Sequence, residues 1–143
     1  MSIKRSIAVA ALLSVAGYFG VAAPLAGQEG KKVDTHVYEL RTYHTVPGRL
    51  PALHKRFRDH TCKLLEKHGM KLIGFWVPEG KAGENTLIYI VEHASRDAAD
   101  KSWKAFGQDP DWQKAKADSE KDGKIVEKVD RVFMSPTDYS KLK

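Results

Sequence analysis

The most constraining feature of this chain is a run of β-branched and aromatic residues at positions 37–43, which stops at Pro47 and Gly48. Side chains alternate between the two faces of a strand, so Glu39 and Arg41 share one face with Tyr43, whereas the other face is apolar. Such a run, followed by a turn and a helical pattern, predicts the central first strand of an α+β unit.

The next segments predict a helix and a hairpin. Apolar residues recur at three- and four-residue spacing in a segment without Pro or Gly, residues 52–68, which predicts an amphipathic helix ending at Gly69. Apolar runs at 72–77 and 86–91 have strand length and are joined by a Gly-rich loop. These two runs therefore predict neighbouring antiparallel strands.

The last third of the chain predicts a second helix and a final strand. Ser95 is expected to cap the helix, Pro110 interrupts it, and residues 125–134 have the pattern of a strand. The order β-α-β-β-α-β predicts a ferredoxin-like α+β fold, in which an antiparallel sheet carries both helices on one face. The opposite face is too apolar to remain in water, so we expect a second copy to cover it, sheet against sheet.

Residues 1–27 have the layout of a secretory signal peptide. Lys4 and Arg5 precede an apolar run at 7–23, and small residues follow. An uncleaved membrane anchor is the alternative, but the run is short for a span of ~20 residues. We therefore expect export to the periplasm or the extracellular space, with no stable membrane anchor after cleavage.

The remaining chain divides into a short linker at 28–35, one domain at 36–136 and a surface tail at 137–143. The net charge of +6 is dispersed among acidic residues without an aromatic and basic motif, so nucleic acid is not an expected partner. Cys62 is the single cysteine, which excludes an internal disulfide. We expect it to be a half-buried helix residue and not a nucleophile, because nothing in the sequence activates it.

Several motifs resemble the NIPSNAP family. They are Tyr-Glu-Leu-Arg-Thr-Tyr at 38–43 with the following Pro-Gly, Gly-Phe-Trp at 74–76, and Asp-Pro-Asp-Trp at 109–112. The resemblance covers about residues 36–133 and implies a dimeric α+β barrel, in which two sheets of a homodimer form the barrel. Family members are mostly described as binding or interaction proteins of unclear biochemistry.

The resemblance implies a homodimer and brings no settled reaction with it. We therefore expect an exported homodimer that binds a small, partly apolar ligand or a protein partner, with no cofactor and no chemistry of its own. The dimeric α+β barrel group also includes cofactor-free monooxygenases and haem-handling enzymes, and a small enzyme of that type is the alternative. A purely structural interaction module is the third possibility. An enzyme would need a real cavity on which the polar strand residues converge.

The candidate ligand-binding residues, as a lining of the barrel, are Glu39, Arg41, Tyr43, Tyr89 and His93. A carboxylate and a guanidinium two residues apart on one strand face form either a structural ion pair or the polar lining of a small-molecule pocket. The sequence leaves open whether they point to the lumen or to the helices. Tyr89 and His93 share a face of the third strand, and the pocket hypothesis strengthens if they project to the same side.

The six histidines do not predict a metal site, because His60 and His68 are two helical turns apart and no paired Cys/His spacing exists. His44 and His93 lie near strand ends. A histidine at a cavity mouth can act as acid or base near neutral pH, although capping of a strand edge is the more common role.

The tryptophans are expected to pack. Trp103 and Phe106 should meet the sheet, Trp112 should anchor the helix after the break at Pro110, and Trp76 is expected at the barrel or dimer face. The sequence has no Gly-rich phosphate loop, nucleophile elbow or catalytic carboxylate signature, so no catalytic residue is predicted.

Overall fold

A computed structural model describes residues 36–142 of the protein. The signal peptide and the linker predicted for residues 1–35 lie outside the described residues and stay predictions. Within the described residues, no helix is both long enough and apolar enough to span a bilayer.

Four antiparallel strands form one sheet in the order β2-β3-β1-β4, so β1 and β3 are central. The strands are β1 (Val37–Thr45), β2 (Lys71–Trp76), β3 (Thr86–His93) and β4 (Val126–Met134). The helices are α1 (Leu50–Arg56), a π-helical turn (Phe57–Thr61), α2 (Cys62–Lys67), a 3-10 turn (Gly80–Gly83), α3 (Arg96–Gln108) and α4 (Pro110–Ser119). The predicted ferredoxin-like α+β arrangement, including the β2-β3 hairpin, is confirmed.

The first predicted helix contains a widened turn. Between α1 and α2, the N–H of Cys62 bonds to the carbonyl of Phe57, which closes a π-helical turn. The hydroxyl of Thr61 donates to the carbonyl of Arg56 over 3.2 Å. Gly69, with φ of +76°, follows α2 in the left-handed conformation that glycine adopts easily, as predicted.

The predicted interruption of the second helix separates two helices, α3 and α4, each of which has its own N-cap residue. Ser95 caps α3, because its hydroxyl oxygen accepts a hydrogen bond from the N–H of Ala98 at 3.1 Å. Asp109 lies before α4, and its buried carboxylate contacts Lys67 at 2.8 Å and His68 at 2.7 Å. Hydrogen bonds from these two side chains lower the pKa of Asp109 strongly. Asp109 therefore connects α4 to the end of α2.

The helices cover one side of the sheet, where Tyr89, Val91 and Leu53 are completely buried. The other side, which we call the open face, carries the apolar side chains of Leu40, Trp76, Ile88, Ile90 and Val132. Trp76 and Val132 are 49% and 53% exposed. The tail predicted as a surface extension reaches one end of the open face, where it lines an open cavity of about 260 Å³.

Candidate functional site

Four side chains on the helix-facing side of the sheet form a hydrogen-bonded polar cluster: Glu39, Arg41, His93 and Trp103. One oxygen of Glu39 accepts from Nε2 of His93 at 3.0 Å and from Nε1 of Trp103 at 2.5 Å. The other oxygen accepts from the guanidinium of Arg41 at 3.1 Å. Central strand β1, the end of β3 and helix α3 are thereby joined through a single carboxylate.

The carboxylate and the imidazole of the polar cluster are sealed from solvent. Glu39 is 0% exposed and His93 is 1% exposed. Burial alone would raise the pKa of the Glu39 carboxyl, but the hydrogen bonds from His93 and Trp103 and the charge of Arg41 outweigh it. The pKa of Glu39 is therefore below its ordinary value, and the carboxylate is ionised at neutral pH. Because an ionised carboxylate only accepts hydrogen bonds, His93 donates through Nε2.

Arg41 lies between aromatic rings. Its guanidinium carbon is 3.9 Å from the ring centre of Trp103 and 5.7 Å from that of Tyr43, which is cation–π geometry. The hydroxyl of Tyr89 donates to the hydroxyl of Tyr43 over 3.4 Å. Burial raises the pKa of Tyr89 well above its usual value, so this phenol keeps its proton.

All five predicted site residues project to the same side of the sheet. Of the two directions that the sequence left open, the structure shows the one toward the helices, and the Glu39–Arg41 contact is a buried ion pair. Glu39, Tyr89 and His93 are sealed, whereas Tyr43 reaches a cavity beside β4. Ligand binding by these residues stays a prediction.

The other residues highlighted in the sequence analysis form an ion pair or pack against neighbouring rings. His44 lies on the open face and pairs with Asp130 at 3.0 Å, as expected for a histidine at a strand end. Trp112 packs against Phe106 at a ring-centre distance of 4.5 Å, and Trp103 meets the sheet, so both predictions are confirmed. Trp76 lies on the open face at the end of edge strand β2, where it also borders the cavity at that edge.

An aromatic cluster runs from the polar cluster to the outer edge of the sheet. Tyr89 is 5.5 Å from Tyr43, 5.4 Å from Phe57 and 5.3 Å from Phe75, with the last pair stacked. Phe75, on edge strand β2, is 36% exposed. The aromatic cluster thus begins in the sealed core and ends in a ring that solvent reaches.

That exposed end forms part of an open cavity of about 280 Å³ between β2 and the first helical segment, which we call the edge cavity. Its lining is apolar and aromatic, with two basic side chains. The lining residues are His54, Phe57, Arg58, Cys62, Phe75, Trp76, Val77 and Leu87.

The pKa values of His54 and Cys62 in the edge cavity are both shifted so that the neutral form is favoured. Burial lowers the pKa of His54, and the charge of Arg58 lowers it further. Burial raises the pKa of the Cys62 thiol, and the charge of Glu66 adds to the effect. Cys62 is half-buried, as predicted, and its raised pKa makes it a weak nucleophile.

Other cavities of the described chain are more polar or lie elsewhere. One of about 350 Å³ beside β4 contains Tyr43, Trp112 and the Arg56–Glu120 ion pair. Another, of about 360 Å³, lies between helices and is lined by mixed charges. Within residues 36–142, no three His, Cys, Asp or Glu side chains are grouped as they would be to hold a metal ion.

The edge cavity is not predicted by any motif in the sequence. Its members come from α1, the π-helical turn, α2, β2 and β3, and only the fold brings them together. The one available signal is the aromatic pair Phe75-Trp76 at the end of β2, of which only Trp76 is placed from the sequence, at the barrel or dimer face.

The family model for NIPSNAP matches residues 38–141, which is most of the chain. The chain belongs to the NIPSNAP family. The motifs that carry the resemblance in the sequence lie on β1, β2 and the start of α4, and include Glu39 and Arg41 of the polar cluster and Phe75 of the edge cavity. None of the curated proteins matches the chain.

Solved structures of other NIPSNAP proteins share this fold. A NIPSNAP family protein of unknown function from Agrobacterium tumefaciens is 24% identical, with a TM-score of 0.67 over 78% of this chain and 96% of that one. A second from the same organism is 21% identical, with a TM-score of 0.66 over 76% and 99%. An uncharacterised NIPSNAP-like domain protein from Burkholderia xenovorans is 13% identical, with a TM-score of 0.65 over 75% and 90%.

The buried carboxylate of this NIPSNAP protein predicts a stability effect. Glu39→Gln should lower the free energy of unfolding by about 2–4 kcal/mol at pH 7, because it removes the charge that three donors share. The folded pKa of Glu39 lies below its ordinary 4.5, so its stabilisation is complete above pH 4.5 and is lost as the pH falls through the lower value. Chemical denaturation should therefore show that the difference in the free energy of unfolding between wild type and variant becomes smaller below pH 4.5.

Glu127→Gln is the matched control, because Glu127 is exposed on β4 and makes no ion pair within the described residues. Its effect should stay within about 0.5 kcal/mol. The stabilising role of the Glu39 carboxylate would be contradicted if Glu39→Gln were as stable as this control. It would also be contradicted if the difference in the free energy of unfolding between wild type and Glu39→Gln did not change with pH.

Proposed function

We propose that this NIPSNAP-family protein is an exported homodimer that binds a small, partly apolar ligand in the edge cavity and carries out no chemistry of its own. The observation that carries the proposal is the lining of the edge cavity. Phe57, Phe75, Trp76, Val77 and Leu87 give it apolar walls, and a few polar groups lie at its rim. Binding sites for small molecules have this composition.

The size and rigidity of the edge cavity support a small ligand. Its volume of about 280 Å³ lies just below the range of about 300–1,000 Å³ that is usual for sites of drug-sized molecules. Phe57 and Phe75 are held by Tyr89, which is fully buried. A floor fixed in this way is preformed, so binding does not have to order it.

The burial of the reactive groups favours binding over catalysis. An acid or base must come within hydrogen-bond reach of the substrate, yet the histidine and carboxylate of the polar cluster are excluded from solvent. Cys62 is the one potential nucleophile in the edge cavity, and its pKa is raised. These features give the enzyme alternative no support from a specific group.

The open face supports the homodimer. Apolar side chains from four strands share it, and Trp76 and Val132 are about half exposed. A contiguous apolar surface of this kind is typical of an interaction site, and a second copy is a self-complementary partner for a sheet.

If the open face is the dimer interface, a charge introduced on it should dissociate the dimer. Val132→Glu should shift the protein from dimer to monomer in sedimentation velocity, because each copy would bring an unpaired carboxylate into an apolar interface. The fold should persist, since Val132 is exposed within one chain.

Ala105→Glu adds the same charge on the exposed surface of α3 and should leave the dimer intact. A wild-type protein that sediments as a monomer would contradict the homodimer and leave the open face to a different protein partner. A Val132→Glu protein that remains dimeric would contradict the proposed interface.

Ligand binding can be measured through Cys62, the single cysteine of the chain, which lies in the edge cavity. A naphthalene derivative in the cavity should slow the alkylation of Cys62, followed by mass spectrometry at mildly alkaline pH. At about ten times the dissociation constant, labelling should slow about tenfold, because only the unoccupied protein reacts.

The control is the double variant Cys62→Ser and Lys101→Cys, which moves the thiol to the exposed side of α3. Its labelling should not respond to the compound. Saturable binding without any protection of Cys62 would place the ligand outside the edge cavity and overturn the proposal.

A further inference from the structure

We infer that the edge cavity is built for an organic anion, a flat apolar carboxylate whose charged group is held by Arg58 and His54 at the rim. The inference rests on the proposed binding function and adds the charge of the ligand to it. It follows from three observations on the described residues, namely the sign of the lining charges, their free donors and the local helix geometry.

The charged and titratable rim is entirely basic apart from the thiol. Arg58 and His54 line the edge cavity, and no carboxylate does. The nearest acidic side chains along the helix are Asp59, which is engaged by Lys55 at 2.6 Å, and Glu66, which lies one turn beyond Cys62. A negative ligand group therefore meets positive charge without a competing acid in the lining.

The donors at the rim are free. Within residues 36–142, neither the Arg58 nor the His54 side chain makes a hydrogen bond or an ion pair, although the helices use such pairs elsewhere. Lys114, for example, pairs with Asp118 one turn away at 2.5 Å. The residues one turn from Arg58 are instead His54 and Cys62, which also line the cavity.

The π-helical turn joins the apolar floor to the basic rim. It begins at Phe57, which is buried against Tyr89, and Arg58 follows directly at the exposed mouth. A π-helical turn inserts an extra residue into a helix and is frequent at functional sites. Here the turn contains one residue of the floor and one residue of the rim.

A carboxylate on the ligand fits this rim better than a neutral group does. The planar fork of an arginine matches the two oxygens of a carboxylate, and a neutral histidine supplies one further N–H donor. The apolar body of the same ligand would lie against the exposed ring of Phe75. The edge cavity thus combines the two halves of an aromatic carboxylic acid.

The test compares 2-naphthoate with 2-naphthamide, which has the same shape and no charge. Isothermal titration calorimetry with the full folded protein should show at least about tenfold tighter binding of 2-naphthoate, and Arg58→Gln should remove the difference. Lys101→Gln removes the same charge from an exposed position on α3 and should leave the affinity difference between the two compounds unchanged. Cys62 protection should accompany binding of both compounds.

The outcomes separate the two proposals. Equal binding of both compounds with protection of Cys62 would overturn the anion inference and leave the binding function standing. An anion preference that survives in Arg58→Gln would overturn the assignment of the rim. Failure of both compounds to bind or to protect Cys62 would contradict the binding function and the inference together.

Discussion

Three hydrogen-bond donors converge on the carboxylate of Glu39, and the position of α3 over the sheet depends on this contact. The donors belong to β1, the end of β3 and the middle of α3. A buried carboxylate is strongly destabilising unless such donors neutralise and solvate it, so removing any of them leaves the buried charge less well compensated. The same interaction that ionises Glu39 therefore fixes α3 above the centre of the sheet.

The polar cluster has a consequence for function, because it closes the space between sheet and helices where the strand residues meet. Accessible apolar surface lies instead at the β2 edge and on the open face. The aromatic cluster links the polar cluster to the edge cavity, since Tyr89 touches both Tyr43 beside Arg41 and Phe75 in the edge cavity. One set of packed rings thus supports the ion pair on one side and the floor of the edge cavity on the other.

Most of the fold could be predicted from the sequence because its signals are local. Alternation in β1, the cap at Ser95 and the glycine after α2 act within a few residues, and the structure confirms each. The polar cluster could be predicted as a shared strand face, but its burial could not, because α3 supplies the cover. The π-helical turn could not be predicted from the sequence, since one extra residue barely changes the spacing of the apolar residues along the helix. The edge cavity depends on residues such as His54 and Leu87 that only tertiary packing unites.

The central claim, that the polar cluster is structural and the edge cavity binds, can be tested with the indole N–H signals of the three tryptophans in a ¹H–¹⁵N spectrum. Trp76 lines the edge cavity, Trp103 donates to Glu39, and Trp112 packs between α3 and α4. On titration with 2-naphthoate, the Trp76 signal should shift while the Trp103 signal stays in place. A shift of Trp103 with Trp76 unchanged would locate the ligand in the polar cluster and contradict the account.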